Sequence, residues 1–178
     1  LGWRLKKPAL CTLHDHPRAN FITPPRQRIM RWAGNRLDGL ICVSEAVRQA
    51  CIAAGYHTNM RVIYNGLVDG EEHHTRENLS APVRLGFLGM NAPLKGFPLI
   101  AQWARQTAQQ PIEWHLYGSV HESLQAEVTR LCADLPDRVI LHGRQPADVI
   151  YRNIDVLVHA STEFDSFPTV LLEAARAG

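Results

Sequence analysis

Three observations predict an α/β chain of parallel strand–helix units. Short apolar runs alternate with amphipathic stretches along its length, the runs are apolar without strict alternation, and one polar, proline-closed segment interrupts the pattern near the middle. The runs are PALCTL (8–13), GLICV (39–43), RVIY (61–64), RLGFL (84–88), EWHLY (113–117), RVIL (138–141) and DVLVH (155–159). Continuous apolar character is what strands covered on both faces require. Between them, Val47, Ala50, Cys51 and Ala54 follow Ser44, a residue suited to capping a helix. Phe97, Ile100, Ala101 and Ala104 repeat that spacing, as do Leu124, Val128, Leu131 and Leu135. The segment LVDGEEHHTRENLSAP (67–82) reads as a linker. Three strands precede it and four follow.

Composition narrows the class without choosing a function. The 178 residues are 46% hydrophobic and 20% charged, which excludes disorder, collagen and coiled coil. Nineteen basic residues oppose 17 acidic ones for a net charge of +2, so charge gives no case for a nucleic-acid partner. Cys11, Cys42, Cys51 and Cys132 form no C-x-x-C pair and sit mostly in apolar runs, which predicts buried, reduced thiols in a cytosolic protein. No apolar run reaches the roughly 18 residues of a spanning helix. The four tryptophans, Trp3, Trp32, Trp103 and Trp114, are expected to serve packing. The chain begins at Leu1 and ends in EAARAG, and is expected to be a fragment of something larger.

Ligands of open α/β sheets bind beyond the carboxyl ends of the strands, so the loops leaving the strands hold the candidates. GMNAPLKG (89–96) sets Lys95 between glycines just before a helix, where backbone N–H groups and an ammonium suit a phosphate. Taken alone, a lysine in such a turn is more often simply solvated. DSFPTVLLE places Asp165 and Glu173 eight positions apart, and two carboxylates there can accept hydrogen bonds from sugar hydroxyls. The other reading makes Asp165 a helix cap and Glu173 a surface residue. His14, at the end of TLHDH, could serve as an acid or base near neutrality or as a hydrogen-bonded loop residue. His16, His57, His73 and His74 lack metal-ligand spacing, and no metal site is expected.

Taken together, four segments resemble the family 4 (group 1) glycosyltransferases. VSEAVRQACIAAGYHTNMRVIYNG looks like the close of that family's N-terminal domain. GMNAPLKG is similar to its G-R-x-x-x-x-K-G phosphate loop, and VHASTEFDSFPTVLLEAARAG to its acidic signature. TLHDH matches the histidine that ends a strand of the N-terminal domain. The resemblance implies a GT-B fold: two Rossmann-like parallel-sheet domains, both incomplete in this chain. Residues 1–66 would be the end of the acceptor domain, 67–82 the linker, and 83–178 the nucleotide-sugar domain without its last elements.

The implied activity is transfer of a hexose-type sugar from a nucleoside diphosphate sugar to a glycan or lipid-linked acceptor, with retention and with neither cofactor nor metal. Alternatives are a non-catalytic nucleotide-sugar-binding module and a GT-B nucleotide-sugar epimerase. Carried over residue by residue, His14 and Asp165 would act on the transferred sugar, with His14 facing it across the interdomain cleft. Lys95 would neutralise the diphosphate, and Glu173 would bind the ribose. Gly118, Gly143 and Arg144 would line the base and ribose pocket, with Gly89, Asn91, Ser166, Phe167 and Thr169 completing the donor contacts. Three positions depart from the family pattern. Met90 replaces the usual arginine, Asp165 is one methylene shorter than the commoner glutamate, and Pro168 lacks an N–H where glycine is frequent. The resemblance further implies a cytoplasmic protein, with the full-length form peripheral at the inner membrane. The fragment itself is expected to bind nucleotide weakly and to transfer no sugar.

Overall fold

The computed structural model describes residues 7–17, 22–68, 79–89 and 93–178. It divides into two compact units. Unit 1 comprises Leu1–Gly66 with Phe164–Pro168, and unit 2 comprises Leu67–Glu163 with Thr169–Gly178.

Unit 1 holds β1 (Leu10–Leu13), α1 (Pro24–Gly34), β2 (Gly39–Cys42), α2 (Glu45–Ala53) and β3 (Met60–Val62). Its three strands are parallel in the order β1-β2-β3. Ser44 caps α2 as expected, its hydroxyl accepting from the Val47 N–H at 3.2 Å. Leu40, Cys42, Val43, Val47, Cys51, Ala54 and Tyr56 form the core. Burial pushes the Cys42 thiol above its ordinary range and Cys51 up to about 12, which leaves both unreactive. Gly34 is required by packing, because a Cβ there would lie 2.6 Å from the Tyr56 ring.

Unit 2 holds β4 (Val83–Leu88), α3 (Phe97–Gln106), β5 (Ile112–Tyr117), α4 (Gln125–Asp134), β6 (Val139–Gly143), α5 (Ala147–Asn153), β7 (Val156–Val158) and α6 (Thr169–Ala177). The strands are again all parallel, in the order β6-β5-β4-β7. Phe97, Ile100, Ala101 and Ala104 of α3 and Val128 and Leu131 of α4 pack with Phe87, Trp114 and Leu116 of the strands. Tyr117, Ile150 and Ile154 make a second cluster. At Gly86 a Cβ would meet Ile154 at 2.5 Å, so β4 accepts no side chain there.

All seven expected strands form, within one or two residues of the expected bounds. Three details differ. Strand β1 lies at a sheet edge with Leu10 and Cys11 exposed, so it is not covered on both faces. Trp32 is also exposed, with the Arg36 guanidinium 4.0 Å over its ring, whereas Trp114 is buried and Trp103 packs at the core's margin. The segment Phe164–Pro168 groups with unit 1 rather than with the residues on either side of it in the chain. Phe167 explains this, because it packs against the Leu40–Tyr56 core together with Leu13, Leu37 and Met60.

Arg84 and Asp155 fasten the start of β4 to the residue before β7. Their side chains meet at 2.8 and 3.1 Å, Asp155 also accepts from the Arg84 N–H at 2.8 Å, and the Asp155 N–H donates to the Arg84 carbonyl at 2.8 Å. The Asp155 side chain is only 4% exposed, so removing it strands a guanidinium and an amide together. Asp155→Ala is expected to lower the unfolding free energy by about 3 kcal/mol in urea titration, with Asp155→Asn costing less because it keeps one acceptor.

Candidate functional site

The chain of unit 2 steps from β4 outward to β5 and β6, then returns to the other side of β4 as β7. The crevice of such a sheet opens where the order reverses, beyond the carboxyl ends of β4 and β7. Here the two loops are pressed together. Gly96 has φ 87°, and a Cβ on it would lie 1.8 Å from the Ala160 carbonyl oxygen. The Thr162 N–H and hydroxyl both donate to the Leu94 carbonyl, at 3.1 and 3.3 Å.

The 3-10 turn Pro93–Lys95 is thereby stapled to the end of β7, and Lys95 is delivered to the N-terminus of α3. That first turn of α3 contains no acidic residue, so the partial positive charge of the helix end and the lysine add. Lys95 also borders Gly89, where a Cβ would meet the Lys95 Cβ at 2.8 Å.

Beside this turn lies a pocket of about 390 Å³ lined by residues of unit 2 alone. Gly89, Gly118 and Arg144 line it together with Tyr117, Ser119 and Gln145. Gly118 and Gly143 have φ of 109° and 68°, their backbones join through a 2.7 Å N–H to carbonyl bond, and nothing lies within 4 Å of a Cβ on either. The glycines therefore serve conformation and open space. Arg144 donates to the Ser119 hydroxyl at 3.2 Å across the mouth.

The remaining expected residues fall elsewhere. Glu173 is the fifth residue of α6 and accepts from the Tyr151 hydroxyl at 3.0 Å; Thr169 opens that helix. His14, Asp165, Ser166 and Phe167 belong to unit 1, where the Ser166 hydroxyl donates to the His14 carbonyl. Met90 and Asn91 lie outside the described residues. Sequence reasoning singled out neither Tyr117, Ser119 and Gln145 nor Tyr151. Tyr117 ends β5, and Ser119 and Gln145 follow β5 and β6, so these three were open to discovery from position, whereas nothing in the residues pairs Tyr151 with Glu173. Among the described residues no group of three His, Cys, Asp or Glu side chains could hold a metal.

One wall of the pocket rests on stacked rings. Tyr117 stacks on His142 with ring centroids 4.6 Å apart, and His142 stacks on His115, with a ring nitrogen of each 2.9 Å apart. Burial and the neighbouring His115 hold the His142 imidazole below its ordinary range.

Comparison with known families settles which one this architecture serves. The profile described as Glycosyl transferases group 1 matches residues 82–178, and that described as Glycosyltransferase Family 4 matches residues 1–70. The chain belongs to the group 1 glycosyl transferases. A search of curated proteins returns no match.

Solved structures agree on the fold of this glycosyl transferase chain. HepE of Anabaena, in a crystal structure with UDP and glucose, is 23% identical with a TM-score of 0.80, over 99% of this chain and 52% of its own. A mutant of TarM of S. aureus, crystallised with fondaparinux, alpha-GlcNAc-glycerol and UDP, is 16% identical with a TM-score of 0.76, over 96% and 35%. The pneumococcal O-GlcNAc transferase GtfA, in complex with UDP and GlcNAc, is 19% identical with a TM-score of 0.73, over 96% and 36%. The α/β fold is of the GT-B type, with two Rossmann-like parallel sheets, and the chain spans about half the length of HepE.

Two outcomes follow for the glycosyl transferase site. Gly96→Ala combines a left-handed backbone with a collision against backbone that cannot yield, and is expected to cost at least about 3 kcal/mol in urea titration. His142 gives a pH dependence whose sign is fixed. With its folded pKa below the ordinary 6.5, the unfolded chain binds the proton more tightly, so stability is complete above about pH 6.5 and is lost as pH falls through the folded value. The melting temperature should therefore drop more between about pH 7.5 and about pH 5.5 in the wild type than in His142→Gln.

Proposed function

We propose that this chain carries the donor site of a glycosyltransferase that moves a sugar from a nucleoside diphosphate sugar to a glycan or lipid-linked acceptor, with retention of configuration. One observation carries the reading: Lys95, held at the α3 N-terminus by the Gly96–Ala160 contact, borders Gly89, and Gly89 lines the open pocket with Gly118 and Arg144. A pocket roomy enough for a nucleoside beside a lysine at a helix N-terminus suits a nucleoside diphosphate. The complexes of HepE and GtfA with UDP support the same ligand class.

In this reading the base and ribose enter over Gly118 and Gly143, where no side chain competes for space. The diphosphate meets Lys95 and the positive end of the α3 dipole. Negative charge develops on the diphosphate as the glycosidic bond breaks, so a preorganised ammonium and helix dipole lower the barrier by stabilising the leaving group. Glu173 accepts from the ribose hydroxyls, and His14 and Asp165 act on the transferred sugar. The four unpaired cysteines support a reducing, cytoplasmic compartment.

The test separates phosphate from nucleoside. Lys95→Ala is expected to weaken uridine diphosphate binding in calorimetry by roughly 1.5–3 kcal/mol, the worth of a charge-assisted hydrogen bond, and to leave uridine binding nearly unchanged. Equal losses for the two ligands would overturn the phosphate role. In the full-length protein the same substitution should slow acceptor-dependent release of the nucleoside diphosphate.

A further inference from the structure

Glu173 is held by a residue that the proposed reaction does not require to touch substrate. Tyr151 lies in α5 and its hydroxyl is 3.0 Å from a Glu173 carboxylate oxygen and 3.1 Å from the Val170 carbonyl oxygen. A phenol has one proton to donate, and a carboxylate is the stronger acceptor of the two. We infer that Tyr151 is a positioning residue: its phenol pins one oxygen of Glu173 so that the other is presented, already oriented, to the hydroxyls of the donor's ribose. The inference rests on the reading of Glu173 as the ribose acceptor.

Three features support a positioning role over a plain helix clamp. A glutamate side chain is rich in rotamers, and fixing one oxygen from a neighbouring helix removes most of that freedom before the ligand arrives. The donor stays protonated, because burial and the adjacent carboxylate push the Tyr151 phenol well above its ordinary range. Finally, α5 reaches both places at once. Ile150, the residue before Tyr151, lines the glycine pocket, so one short helix sets the pocket wall and the carboxylate together.

The experiment uses Tyr151→Phe, Glu173→Gln and the double variant, each titrated calorimetrically with uridine diphosphate and with its 2′,3′-dideoxy counterpart. Tyr151→Phe is expected to weaken uridine diphosphate about tenfold while changing the dideoxy ligand little. The double variant should lose no more than Glu173→Gln alone, because Tyr151 acts through that carboxylate. Equal losses for the two ligands, no loss for either, or additive losses in the double variant would show that Tyr151 only secures α6, and would overturn the inference. Glu173→Gln separates the two levels. If it fails to distinguish ribose from dideoxyribose, the ribose reading falls and takes the inference with it. If it does distinguish them while Tyr151→Phe does not, the inference alone falls.

Discussion

The carbonyl oxygen of Ala160 fills the space that any side chain at position 96 would need. The geometry at the switch point of unit 2 follows from that contact. It fixes residue 96 as glycine, lets the turn Pro93–Lys95 lie against the end of β7, and sets where α3 begins. Lys95 then sits against Gly89, which must also be small, and Gly89 becomes part of the pocket wall. A backbone-to-backbone contact suits this task because neither partner has a rotamer to lose. The contacts hold the backbone of the turn, and with it the place from which the Lys95 side chain starts.

The same pair of strands is secured along its length by three different means. At one end Arg84 and Asp155 exchange side-chain and main-chain hydrogen bonds, in the middle Ile154 closes over Gly86, and at the far end Gly96 meets Ala160. Polar, apolar and backbone contacts therefore agree on one register for β4 and β7. Agreement of that kind is what gives a sequence a single structure. The switch point of the sheet is thus held by contacts of three different kinds.

How much of this could be read from the residues depends on the range of the interaction. The strands were legible because burial on both faces writes an apolar run into local sequence, and the helix faces of Phe97–Ala104 and Leu124–Leu131 because a 3.6-residue repeat is local too. Gly89, Gly118 and Arg144 were legible as residues that follow strands, and they do share one pocket. The pairing of Tyr151 with Glu173, the stacking of Tyr117, His142 and His115, and the docking of Phe167 on the Leu40–Tyr56 core were not. Each joins residues whose adjacency arises only after the sheet is assembled, so no periodicity records it. The exposure of β1 escaped for a related reason. An apolar run reports what a strand could bury, and its place in the strand order decides what it does bury.

The four cysteines are distributed as though to report on the two units separately. Cys11 stands exposed at the edge of unit 1, Cys42 and Cys51 lie in that unit's core, and Cys132 is partly covered on α4 of unit 2. A thiol reagent added to the native protein would modify Cys11 at once and the core pair only as often as unit 1 opens, while Cys132 would follow the fraying of α4. The unmodified chain thus contains its own clocks for local opening, one in the core of unit 1 and one on α4 of unit 2.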